Sequence, residues 1–291
     1  MDPKARAFLL DAQNDDGGWG YAAGHASTVE ATAAALLALA TDATDAANRA
    51  SDWLLTTQNP DGGWGLTSED AASGWQTAWA VLALQQVSPA AEAARRGVDW
   101  LLNVPLMPRN EEEDIRWVKA TLGIDPTLRG WPWLPGQAGW VEPTALTILA
   151  LAPLVQQPEI RARLDEAVRY LEDRRCVGGG WNVGNPVMFS SPLPARACPT
   201  AWVLLALASF APAAVQTDDL TTLRQEMASD GSASALSWGL LALHALDQDD
   251  APAQARLRAS QDADGSWSGN PFYTATAALA LSGGLLGRQE S

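Results

Sequence analysis

Gln58-Asn-Pro-Asp-Gly-Gly-Trp64-Gly has a close copy at Gln13-Asn-Asp-Asp-Gly-Gly-Trp19 and another at Gln261-Asp-Ala-Asp-Gly-Ser-Trp267. All three share the spacing Gln-x3-Gly-x-Trp. Weaker copies lie between them, at Gly130-Trp131-Pro-Trp133 and Gly178-Gly-Gly-Trp181, and an eroded one at Asp230-Gly-Ser lacks the Trp. A motif that recurs along the whole chain is the signature of a repeat architecture, in which each unit buries its apolar face only against its neighbours.

After each mark comes a short apolar helix. The six are 32–39, 77–84, 144–151, 200–207, 236–243 and 274–281, and five of them begin Thr-Ala. They are apolar almost all round, as in a helix buried on every side. Before each mark lies an amphipathic helix, over 5–13, 46–58, 90–103, 159–174, 218–228 and 251–261, with a charged stripe for solvent. Asp250 before Ala-Pro252 reads as an N-cap with proline in the first turn. Six outer helices alternating with six inner ones predict an all-α (α/α)6 toroid. Such a ring closes when the first and last helices meet. Within it, the Gln at each mark is expected to bond the turn backbone while the Trp packs between repeats.

The chain of 291 residues is read as one toroid domain over 1–291, with 47% hydrophobic residues to fill the core. The net charge of −15 argues against nucleic acid, which needs a basic face. It also argues against attraction to anionic lipid. Two cysteines, Cys176 and Cys198, give no disulfide framework. No apolar run approaches a membrane span and the N-terminus does not read as a signal peptide, so a cytoplasmic protein is expected.

Two rim insertions, at about 103–130 and 182–199, interrupt the repeat. The first carries Glu111-Glu-Glu-Asp114 and a short helix through Trp117. The second carries Met188-Phe189 and Ser-Ser-Pro-Leu-Pro. Both enter between an outer and an inner helix, so both should overhang the same end of the ring, and loops of this length are often functional.

The Gln-x3-Gly-x-Trp marks and the Thr-Ala helices resemble the prenyltransferase and squalene-oxidase repeat of the squalene–hopene cyclases. They also resemble the β subunits of protein prenyltransferases. The resemblance spans the chain and implies the toroid. In the cyclases an Asp-x-Asp-Asp-Thr-Ala motif opens an inner helix, and its middle Asp protonates the polyprene. Laying Thr144-Ala and Thr32-Ala on that motif puts Glu142 and Glu30 at the proton-donor position, although the flanking Asp residues are missing. Trp75, Cys198, Ser234 and Phe272 hold the same position in the other repeats. The implied site is therefore Glu142 and Glu30 as acids, with Trp75, Trp131, Trp133, Trp140, Cys198, Phe272 and Tyr273 around an apolar ligand. The prenyltransferase zinc site is not matched, because Thr274 stands where its His ligand falls. No metal and no cofactor are implied. Asp247-Gln-Asp-Asp250 follows an inner helix, so it belongs to the opposite end of the barrel.

The leading reading is a terpene-cyclase-like protein that holds an isoprenoid or similar apolar ligand, with acid-catalysed cyclisation as its enzymatic form. The alternative is a non-catalytic toroid that binds a partner protein or an apolar ligand.

Overall fold

The outer helices are α1 (Pro3–Asp11), α3 (Asp45–Thr56), α5 (Glu92–Asn103), α8 (Pro158–Asp173), α10 (Thr217–Asp230) and α12 (Ala251–Ala259). The inner helices are α2 (Val29–Leu39), α4 (Gln76–Val87), α7 (Val141–Leu151), α9 (Ala197–Phe210), α11 (Ala233–Ala245) and α13 (Pro271–Ser282). One further helix, α6 (Glu112–Leu122), lies in the first insertion. This computed structural model describes residues 1–40, 45–87, 91–107 and 111–284; position 90, the expected start of the third outer helix, lies outside them.

The inner helices pack in the order α2, α4, α7, α9, α11, α13 and back to α2, so the ring is closed. Equivalent positions meet across it, as with Trp202 and Trp238, so neighbouring inner helices run parallel. Every residue of α2 is buried, and its alanines let the neighbours approach closely. Among the described residues, no helix is long and apolar enough to cross a membrane.

Trp64 shows what each repeat mark does. Its indole N–H donates to the Leu54 carbonyl at 2.8 Å, one of the carbonyls at the end of α3 that have no intrahelical partner. Its backbone N–H donates to the Thr77 hydroxyl of α4 at 3.0 Å. Gln58 donates to the carbonyls of Gly62 and of Ala93 on the next outer helix, both at 2.8 Å. Gly62 sits at φ +94°, with its α-carbon against the Arg96 backbone, where only glycine fits without strain.

The same bonds recur elsewhere. The indoles of Trp19, Trp131, Trp181 and Trp267 donate to Leu9, Leu101, Leu171 and Leu257. Their backbone N–H groups donate to Thr32, Thr144, Thr200 and Thr274. The eroded repeat loses both partners together: it has no Trp, and Leu236 replaces the Thr. At the seam, Gln261 reaches Asp2 at 3.1 Å, and Asp2 caps α1, so the last mark ties the chain's end to its start.

α2, α7, α9 and α13 begin about one turn before the Thr-Ala pairs that mark them in the sequence, whereas α4 begins one residue before Thr77. The threonines other than Thr28 do not cap these helices. Their hydroxyls serve the Trp backbone instead, which lets the helix start at the preceding residues. Asp250 does cap α12, accepting from Ala253 N–H at 3.0 Å, with Pro252 in the first turn.

Candidate functional site

Because the inner helices start early, Glu30, Glu142, Cys198, Ser234 and Phe272 sit in their first turns, and Trp75 stands just ahead of α4. Parallel packing brings these equivalent positions around one end of the ring. Cys198 Sγ lies 3.6 Å from Ser234 Oγ, and Glu142 acts electrostatically on both Cys198 and Glu30.

Glu30 is only 8% exposed, and Tyr21 donates its phenolic hydrogen to the carboxylate. Burial pushes the Glu30 carboxyl up to about 7; the Tyr21 bond opposes the rise and the Glu142 charge adds to it. Burial and the adjacent carboxylate together raise the Tyr21 phenol well above its ordinary value, so it remains a donor. Burial also raises Glu142, which is less enclosed. Burial raises the Cys198 thiol, so it is not an activated nucleophile.

Aromatic rings line the same end. Trp75 meets Trp133 edge-on at 4.8 Å, and its backbone N–H donates to the Trp133 carbonyl at 3.0 Å. Phe272 meets Tyr21 at 6.3 Å and Tyr273 at 5.9 Å.

The remaining two tryptophans of the expected set are elsewhere. Trp131 is buried in the ring wall, its indole bonded to Leu101 and its face covered by the Arg163 guanidinium at 3.7 Å. It is the tryptophan of a repeat mark and leaves no face for a ligand. Trp140 precedes α7, with its ring lying against Gly184 and along an off-axis cavity.

One turn below the mouth, the axis is filled. Trp79, Trp202 and Trp238 pack edge-on or tilted against one another at 4.7–5.9 Å, and Phe272 meets Trp79 edge-on at 5.7 Å. These three indoles were not singled out from the sequence, although the signal was there. Each stands four residues after a mouth position, and residues four apart share one face of a helix. Tyr21 had no such signal, because it comes from a loop.

Residues 7–120 match the squalene-hopene cyclase C-terminal domain family. Over that stretch the chain is similar to this family. The matched stretch carries the first two complete repeat marks together with Glu30 and Trp75. No curated protein matches significantly.

Among solved structures, the toroid is similar to the type II terpene cyclase MstE of Scytonema, in complex with its substrate geranylgeranyl dihydroxybenzoate. The TM-score is 0.61 at 22% identity, over 96% of this chain and 94% of that one. A protein from Actinoplanes gives a TM-score of 0.62 at 19% identity, over 96% and 97%. A novel alpha-amylase from Clostridium perfringens gives 0.65 at 11% identity, over 95% and 96%. At these identities the likeness is one of fold, and a ring shared with both a cyclase and an amylase leaves function to the site.

Proposed function

We propose that this terpene-cyclase-like protein holds an isoprenoid or similar apolar ligand at the inner-helix N-terminal mouth. The observation that carries the reading is the arrangement of Trp75, Trp133, Tyr21, Phe272 and Tyr273 around the two partly or fully buried carboxyls. Aromatic walls with a few convergent polar groups are the usual composition of a small-molecule site. The substrate of the similar cyclase, a geranylgeranyl compound, supports the ligand class.

Acid-catalysed cyclisation is the enzymatic form of this reading, and the Glu30–Tyr21 pair favours Glu30 as its acid over Glu142. A carboxyl near pH 7 is a matched general acid at neutral pH, whereas protonating an unactivated alkene asks for a far stronger one. The substrate best suited to Glu30 is therefore an epoxide, whose oxygen accepts a proton readily. The indoles below the mouth would face the positive charge that ring opening creates, each interaction contributing about 0.5–2 kcal/mol.

The test pairs binding with turnover. Calorimetry with geranylgeraniol should show one site per chain that weakens in Trp75→Ala. The terminal epoxide of geranylgeraniol should give a cyclised product with the parent protein and none with Glu30→Gln. Geranylgeraniol binding without any product leaves the non-catalytic toroid standing, and the absence of both rejects the proposal.

A further inference from the structure

The two rim insertions meet one another. α6 packs on the hairpin of β1 (Val187–Met188) and β2 (Ser191–Pro192), and the Phe189 N–H donates to the Thr121 carbonyl at 2.9 Å. Between α6, the strand of chain that follows it and the end of α8 lies a cavity of about 640 Å³. That is ample for a small molecule, since such sites run from about 300 to 1,000 Å³. Neither Glu30, Glu142, Cys198 nor Phe272 lines it; among the residues expected at the mouth, Trp140 alone does.

The walls have two characters. Val118 and Leu122 of α6 line the cavity together with Leu106, Ile124, Leu128 and the Trp140 ring. Leu106, Leu122 and Leu128 are only half-buried, so apolar surface is left uncovered. Against this apolar body stand two arginines that also line the cavity, Arg129 and Arg174.

Charge decides what head group fits there. Arg174 is paired with Asp173 and lies over the Tyr170 ring. Lys119 at the rim is paired with Asp125 at 3.0 Å. Arg129 and Arg163 share the one carboxylate of Glu166, at 3.9 and 3.4 Å, so one positive charge is left over. Arg163 spends its other hydrogens on the carbonyls of Arg129 and Gly130, which leaves Arg129 as the half-exposed cation at the cavity. In a chain of net charge −15, a local positive surplus beside an apolar cavity runs against the background.

We propose that this cavity is a second ligand site, separate from the axial mouth, for a small single-chain amphiphile with an anionic head. The chain lies among Leu106, Val118, Leu122 and Leu128, and the head meets Arg129 and Arg174 in charge-assisted hydrogen bonds. A cationic amphiphile is repelled by the surplus charge, and a neutral one offers the arginines a hydroxyl oxygen without the negative charge that strengthens the bond. The assignment does not depend on what the axial mouth holds.

The test is calorimetry of the full chain with decanoate, decyl phosphate and decanol. At least one anion should bind once per chain and about tenfold or more tighter than decanol. The tighter anion identifies the head group. Ala138→Trp, which fills the cavity, should abolish this binding, and Arg129→Gln at the surface should weaken it about tenfold. Trp75→Ala, at the axial mouth, should leave it intact. Circular dichroism checks that each variant folds; where Ala138→Trp does not, Arg129→Gln alone decides. Equal affinity for decanol and the anions overturns the proposal. So does the absence of binding, anion binding that survives Arg129→Gln at full strength, or loss of binding in Trp75→Ala.

Discussion

Tyr21 donates its phenolic hydrogen to Glu30, joining a loop residue of the first repeat to a carboxylate in the first turn of an inner helix. The bond keeps a buried carboxyl hydrogen-bonded in either protonation state, since the phenol donates to the anion and a neutral carboxyl still offers its carbonyl oxygen. It also sets the Glu30 carboxyl beside a phenol whose ring meets Phe272 at 6.3 Å. A carboxyl raised to about 7 and fixed in direction by one donor is poised to change charge at neutral pH.

That poise has a consequence for stability. The folded value of Glu30 lies above its ordinary value of 4.5. Between pH 4.5 and 7 the folded chain therefore binds more protons at this group than the unfolded chain does. Its contribution to stability is present in full below pH 4.5 and is lost as the pH rises through about 7. The loss amounts to about 3 kcal/mol. Urea denaturation at pH 5 and pH 8 should show Glu30→Gln removing this part of the pH dependence, with the variant the more stable of the two at pH 8. A parent and variant with parallel pH profiles would contradict the assignment.

The two mouth acids should differ in function as they do in burial. Glu30→Gln should abolish turnover of a polyprene epoxide while leaving geranylgeraniol affinity within about threefold, because Gln keeps the shape and loses the acidic proton. Glu142→Gln should reduce turnover by no more than about tenfold, through loss of its charge effect on Glu30. Product analysis and calorimetry on both variants check this, and a larger loss in Glu142→Gln would move the acid to α7.

The ring was legible in the sequence because its bonds repeat. Gln58, Gly62, Trp64 and Thr77 form one hydrogen-bonded unit, and the unit recurs at fixed spacing. The mouth was legible for the same reason: once the Thr-Ala pairs are in register, Glu30 and Glu142 fall on one level. What the sequence did not give was the aim of each ring. Trp131 and Trp133 are two residues apart in one loop, yet Trp131 is locked into the wall by Leu101 and Arg163, whereas Trp133 meets Trp75. Alternation in an extended segment separates them, and that geometry depends on the bridge Trp131 makes with Trp140. The cavity under α6 was hidden for another reason. It needs two insertions to pack together, and they share no periodic pattern.

The purified chain should carry no stoichiometric zinc. Thr274, at the position of the prenyltransferase His, already accepts from Trp267 N–H at 3.0 Å and donates to the Asn270 carbonyl at 2.8 Å. Among the described residues, no three His, Cys, Asp or Glu side chains stand close enough to share an ion. Elemental analysis of protein prepared with zinc in the medium checks this, and one zinc per chain that survives chelator dialysis contradicts it.

The last prediction separates two tryptophans that look alike in burial. Trp64 and Trp79 are both fully buried, so replacing either by Phe removes a similar volume from a close-packed interior. Their indole nitrogens are not alike. Trp64 donates to Leu54 at 2.8 Å, and removing that donor leaves a carbonyl at the end of α3 short of a partner in a dry environment. Trp79 Nε1 is buried with no hydrogen-bond partner among the described residues, so its replacement removes an unsatisfied group instead of creating one. A buried polar group left without a partner costs about 1–3 kcal/mol. Trp64→Phe should therefore destabilise the ring more than Trp79→Phe, by about that amount. Urea denaturation of the two variants, with equal m-values showing that both unfold from the same ring, reads the difference. A Trp79→Phe variant as unstable as Trp64→Phe would mean that the axial indole N–H has an acceptor in solution.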